Sequence, residues 1–252
     1  MQSAQDQEIG KRARAQLQTL ARREGKGELN MIPILRTGNS ANAIITAARK
    51  RRSDLIVLAT HGYTGAKRVL LGSTTERVVR HAPCSVLTVP TGKSLRRTGK
   101  ARTIELKKIL VAIDFSTISE SALPWAASIA ARFDAELALL YVVEKFPIDY
   151  VISPDSMNSI IAPLIKQGNI ALKELAERLK QSTGLTVKSE VRVGKPFEEI
   201  SSASKRLGAN LIVLSTHGTT GLKRLWLGST AERVVRHANR PVLVVRALQP
   251  QT

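Results

Sequence analysis

The sequence has one cysteine and few aromatics: four Phe, three Tyr and two Trp in 252 residues. A single thiol, Cys84, excludes an internal disulfide framework and any zinc site built on several cysteines. No stretch approaches the ~18 consecutive apolar residues that a bilayer span needs. The opening residues, MQSAQDQEIGKRARAQ, carry no apolar core of a secretory signal. These absences lead to the expectation of a chain in the reducing cytoplasm with no membrane partner. Apolar residues at 43% supply material for a packed core, and the length suits one large domain or two of about 100–150 residues each.

Acidic residues are also scarce, 20 against 39 Lys and Arg, for a net charge of +19. Fifteen of those nineteen charges fall in the first 108 residues. Such an excess suits an anionic partner, whether nucleic acid, an anionic membrane surface or a phosphorylated ligand. No helix-turn-helix or RNA-binding signature accompanies it, and aromatics for base stacking are few. A solvated basic surface is the preferred reading, with nucleic-acid binding as an alternative.

What the sequence does have is an internal repeat. Residues 55–89 (LIVLATHGYTGAKRVLLGSTTERVVRHAPCSVLTV) match residues 211–245 (LIVLSTHGTTGLKRLWLGSTAERVVRHANRPVLVV) without a gap. The two segments are identical at 25 of 35 positions, and the offset of 156 extends upstream through Arg36 and Gly38 to Arg192 and Gly194. The chain is a tandem duplication.

The second copy carries a full set of elements. Residues 107–113 (KKILVAI) form a continuous apolar run, as expected of a buried parallel strand. A helix is predicted over 119–133, a strand over 136–143, a long helix within 156–181 and a strand over 185–193. A helix follows at 196–207, then a strand at 210–216, a short helix at 229–237 and a strand at 241–246. Alternation of this kind predicts an α/β fold with a doubly wound, open parallel sheet. The first copy matches only the later part: 6–24 the long helix, 29–35 the third strand, and 40–52, 54–60, 73–81 and 85–89 the remainder. Nothing in it corresponds to residues 107–145. The predicted organisation is a partial module over 1–90, a basic linker over 91–106 and a complete module over 107–247.

The chemistry concentrates where a strand ends at Ser215 and Thr216. There His217 and Gly218 open a turn, and nine residues later Gly228 precedes a helix beginning Ser229-Thr230. Glycine permits positive φ and close backbone approach. The free N–H groups and dipole at a helix start favour an anion, and the two hydroxyls can donate to phosphate oxygens. Asp114, at the carboxyl end of the first strand, falls in the same crevice if that strand is central. Its carboxylate could accept from ribose hydroxyls or hold a magnesium ion.

On these residues the sequence resembles the universal stress protein family, carried by VAIDFS at 111–116, Gly218-x9-Gly228-Ser229 and the tail AERVVRHANRPVLVV. The resemblance implies a five-stranded sheet in the order 3-2-1-4-5, Rossmann-like, and in one branch of the family ATP binding. That branch has Gly-x2-Gly-x9-Gly followed by Ser or Thr. Here the first position is Ser215, and Ala59 in the first copy, so both depart there. By position the family's contacts fall on Ala112, Asp114, Val142, Leu214, Ser215, Gly218, Gly228, Ser229 and Thr230. The implied ligand is ATP or another adenine nucleotide, with magnesium carried by the nucleotide and no metal site of the protein's own. The implied role is a stress-response regulator acting through dimerisation or partner contact. The last strands would pair the modules within one chain or between two. A nucleotide-free interaction module of the same family is the alternative.

No nucleophile–base pair or metal-ligand spacing appears, so slow ATP hydrolysis at most is expected. The first copy keeps Gly62, Gly72, Ser73 and Thr74 but has no counterpart of Asp114 or Val142, and is expected not to bind nucleotide in the usual way. His81 and His237 suit the negative end of a helix dipole. Cys84 is expected to pack as a small buried hydrophobe. Lys223 and Arg224, matched by Lys67 and Arg68, either reach phosphate or face solvent.

Overall fold

The computed structural model of the chain describes residues 4–25, 29–60, 71–90, 105–145, 154–216 and 228–246. Two compact units divide the chain, residues 1–44 and 45–252. In the first, helix α1 (Ala4–Gly25) realises the helix expected over 6–24, and residues 29–39 follow without strand structure. The third strand expected over 29–35 is therefore absent. Its equivalent in the second copy, the strand Val187–Gly194, pairs with the strand Glu136–Glu144, and among the described residues nothing pairs with 29–35. Backbone donors without a ladder partner do not hold a strand. Helix α2 (Ser40–Lys50) starts after Asn39, whose side-chain Oδ1 accepts from the Asn42 N–H at 3.1 Å.

The second unit is built on one sheet. Its strands are β1 (Leu55–Ala59), β2 (Ser85–Val89), β3 (Lys108–Ile113), β4 (Glu136–Glu144), β5 (Val187–Gly194), β6 (Leu211–Ser215) and β7 (Val242–Val245). They lie in the order β1-β2-β7-β6-β3-β4-β5. The run β5-β4-β3-β6-β7 is entirely parallel and is the order 3-2-1-4-5 expected of the second copy. Among the described residues the sheet runs on from these five strands to seven, because β2 pairs antiparallel with β7, Val86 opposite Val244 and Leu87 opposite Leu243. Pairing through the last strands thus occurs within the chain.

Helices α3 (Ser73–His81), α4 (Thr117–Glu120), α5 (Leu123–Phe133), α6 (Pro154–Thr183), α7 (Pro196–Arg206) and α8 (Ser229–His237) complete the unit. Strand β3 is the middle strand of the parallel run β5-β4-β3-β6-β7, with Ile109, Leu110 and Val111 fully buried, which is why its sequence is apolar without alternation. The Asn210 side chain ties β6 to it by accepting from the Lys107 and Lys108 N–H groups at 2.9 and 3.0 Å. Helix α6 ends at Gly184, where φ is +70°. No helix among the described residues is long and apolar enough to cross a membrane.

Among the described residues strand β1 pairs with β2 alone, and no described strand lies along its other edge. In the second copy the same edge of β6 is covered by β3. The consequence shows in burial. Leu55 and Val57 are 37% and 59% exposed, whereas their counterparts Leu211 and Val213 are 5% and 0% exposed.

Candidate functional site

The sheet order reverses at β3, which has β4 on one side and β6 on the other. In open parallel sheets such a point leaves a crevice beyond the carboxyl ends of the strands. Asp114 follows β3 there. Its Oδ1 accepts from the Ser116 N–H at 3.1 Å and from the Ser116 hydroxyl at 2.6 Å. Between them Phe115 adopts φ +61°, a left-handed conformation uncommon for an aromatic residue. Its ring packs 4.8 Å from that of Tyr141, a tertiary contact that holds the turn. Ser116 then caps α4, accepting from the Ser119 N–H at 3.0 Å. Asp114 is thus a carboxylate fixed by its own turn.

The other wall comes from β6 and α8. Ser215 and Thr216 are buried, and the Thr216 N–H donates to the Val245 carbonyl at 3.0 Å. The Gly228 N–H donates to the Thr216 carbonyl at 2.7 Å, joining the two ends of the segment between them. Gly228 has φ −60° and ψ 144°, so positive φ, one of the two reasons considered for glycine, does not apply here. As N-cap of α8 it offers no side-chain cap, and the first N–H groups of the helix have no intrahelical acceptor.

These elements enclose a cavity of about 380 Å³, within the usual range of small-molecule sites. Of the nine expected site residues, Ala112, Asp114, Val142, Leu214, Ser215, Gly228, Ser229 and Thr230 all line it. Gly218 lies outside the described residues, as do His61, Gly62, Lys67, Arg68, His217, Lys223 and Arg224. The cavity also takes in Leu140, Leu164, Pro196 and Ile200, which sequence reasoning missed. A helical period places Pro196 and Ile200 on one face of α7. It does not say what that face meets. The arrangement offers an apolar slot between β4 and α7, a fixed carboxylate, and a helix start with two hydroxyls. That donor set suits a base, a ribose and a phosphate. Among the described residues no group of three or more His, Cys, Asp or Glu could hold a metal ion.

The first copy repeats part of this geometry. The Gly72 N–H donates to the Thr60 carbonyl at 2.9 Å, and Gly72 has φ −61°. Thr75, where the second copy has Ala231, donates its hydroxyl to the Ala59 carbonyl at 2.9 Å. Cys84 is buried, and burial together with Asp54 pushes its thiol pKa up against the opposing charge of Arg246. His81 and His237 occupy the last turns of α3 and α8, and the ring of His237 lies 6.0 Å from that of Phe197.

The model of the universal stress protein family matches the chain twice, over residues 1–90 and 105–246. Universal stress protein MJ0531 of Methanocaldococcus jannaschii is 39% identical over 140 residues, covering 56% of this chain and 82% of that protein. The solved structure of MJ0577, from the same organism, is 31% identical, with a TM-score of 0.53 over 58% of this chain and all of that one. A universal stress protein of Archaeoglobus fulgidus shares the fold over 95% of this chain and 78% of its own, with a TM-score of 0.64 and 21% identity.

Proposed function

The chain belongs to the universal stress protein family, and from that premise we propose that its second module binds ATP or a related adenine nucleotide in the cleft between Asp114 and α8. The observation that carries this reading is that eight of the nine expected residues, from the ends of β3, β4 and β6 and the start of α8, line one cavity. The adenine would occupy the apolar slot at Val142 and Leu214. Asp114 would accept from the ribose hydroxyls, and Ser229 and Thr230 would receive phosphate at the start of α8. Magnesium would arrive with the nucleotide. Binding, not turnover, is the proposed activity, and nucleotide occupancy would regulate contacts with a partner. The first module would not bind nucleotide, since among the described residues the strand beside β1, β2, supplies no aspartate.

The test is a thermal-shift titration of the full chain with ATP and magnesium, beside Asp114→Ala and Val142→Trp. The full chain is the proper object because removing the first repeat would bare the β7 edge that β2 covers. At 100 times its dissociation constant the ligand adds about 2.7 kcal/mol of stability. A shift present in the wild type and lost in both variants supports the reading. No shift in the wild type would leave a nucleotide-free interaction module.

A further inference from the structure

Among the described residues the sheet has two outer strands, β5 and β1, and they are built differently. Strand β5 carries Lys188, Glu190 and Arg192, which pair with Glu136 at 2.7 Å, with Arg206, and with Glu199 at 3.0 Å respectively. Charged side chains on an outer strand oppose pairing with another chain. Strand β1 has neither a charged residue nor a proline within Leu55–Ala59. Leu55, Val57 and Ala59 are exposed on one face of it, and Ile56 is buried on the other. The same LIVL segment in β6 shows which chemistry this edge takes. There Leu211, Ile212 and Val213 pair with Ile109, Leu110 and Val111, an apolar strand. The last strands show in turn how the repeats meet. Leu87 stands opposite Leu243, its own equivalent at the offset of 156, so β2 and β7 are related by a local two-fold axis. The register of β1 on β2 sets Val57 level with Leu87. Since β2 and β7 satisfy each other within the chain, sheet pairing between two molecules falls to another edge.

We propose that β1 pairs antiparallel with β1 of a second molecule of this chain, about a two-fold axis at Val57. Val57 then opposes Val57, Leu55 opposes Ala59 and Ile56 opposes Leu58, so every pair is apolar. Asp54 falls opposite Thr60, and no like charges meet. The pairing repeats between molecules what β2 and β7 do within one, and it satisfies the outward backbone groups of both strands. Leu55, Val57 and Ala59 of the two molecules merge into one apolar strip. A contact of five residues a side is small, so the dimer belongs to the weak class and parts on dilution, leaving Val57 exposed in the monomer. The inference is independent of the nucleotide reading of the cleft.

Analytical ultracentrifugation of the full chain tests it, beside Val57→Lys, Val57→Cys and Leu55→Cys. The wild type is expected to show a monomer–dimer equilibrium between about 1 and about 100 µM. Val57→Lys sets two like charges face to face and should weaken association at least about tenfold. Directly opposed residues of an antiparallel pair have Cα atoms about 4.5–5.5 Å apart, within disulfide reach, so Val57→Cys should form a covalent dimer under mild oxidation. Leu55→Cys should not, because the two Leu55 positions would lie about 13 Å apart along the strands. Cys84 is buried, and the wild type is the control for it. If Val57→Lys fails to fold, the contrast between the two cysteine variants decides. A wild type that stays monomeric across that range, a dimer that Val57→Lys leaves intact, or equal cross-linking at Leu55 and Val57 overturns the proposal.

Discussion

Arg80 donates to the Glu232 carboxylate at 2.9 Å across the seam between the two repeats, and their counterparts Arg236 and Glu76 stand 3.6 Å apart in the reciprocal position. Each arginine also holds the glutamate of its own helix, at 3.4 Å for Glu76 and 2.8 Å for Glu232. The offset of 156 makes the four-membered network nearly self-complementary, as an isologous contact between two subunits would be. Here both halves come from one chain. The Thr88 hydroxyl adds a bond to the Val242 carbonyl at 3.3 Å, and Arg246 reaches the Arg80 carbonyl at 3.1 Å.

These half-buried pairs are expected to contribute modestly. Arg80→Ala should cost about 1 kcal/mol, and a double-mutant cycle with Glu232→Ala should return a coupling of roughly 0.5–1 kcal/mol. The more widely separated Arg236 and Glu76 should couple less. Urea denaturation of the four proteins of each cycle measures both values.

Val57 and Val213 occupy the same place in an identical LIVL segment, yet one is exposed at the free edge of β1 and the other is enclosed by β3. Val213→Ala should therefore cost roughly 2 kcal/mol in lost burial and cavity formation. Val57→Ala should stay within about 0.5 kcal/mol of the wild type. Equal costs in chemical denaturation would mean that the β1 edge is covered in solution.

Gly168 lies in α6 where an added Cβ would come within 2.7 Å of two carbons of the Tyr141 ring. In an exposed helix Gly→Ala gains about 1 kcal/mol from propensity. Tyr141 is already held against Phe115, so the ring has little room to yield. Overpacking of about 1–3 kcal/mol should outweigh the gain, and Gly168→Ala should lower the melting temperature. A rise would show that the ring swings aside freely.

Glu136 begins β4 between two lysines, with Lys188 Nζ at 2.7 Å and Lys108 Nζ at 3.4 Å. Burial works to raise its pKa, but the hydrogen bonds and charges of the two lysines outweigh it and hold the carboxyl below its ordinary 4.5. A carboxyl depressed on folding stabilises the protein above its unfolded pKa, and that contribution is lost as pH falls through the folded one. The stability difference between wild type and Glu136→Gln should thus be constant above about pH 5 and shrink below 4.5. Unfolding curves across pH 3–7 would show it, and a difference that grows in acid would contradict the assignment.

Much of the site was legible in the residues because it is built from strand ends and a helix start. The apolar run before Asp114 marks a central strand, and Gly228-Ser229-Thr230 marks a helix start without a side-chain cap. Each signal is local. Leu164, Pro196 and Ile200 escaped notice because they reach the cleft from helices, whose orientation over the sheet is a matter of packing. Gly228 was read partly for its freedom of φ, and the structure uses instead its close approach to Thr216.

The sequence by itself determined the duplication, the alternation of strand and helix in the second copy and the type of chemistry its crevice can support, while the strand order 3-2-1-4-5 was what the family resemblance implied. The first three follow from hydrophobic period and from repeated residues. Only the tertiary structure decided the fate of the first copy. Residues 29–39 form no strand, while β2 finds its partner in β7 and extends one sheet to seven strands. A strand exists only when another chain segment satisfies its backbone donors and acceptors, and no single segment encodes which neighbour will do so.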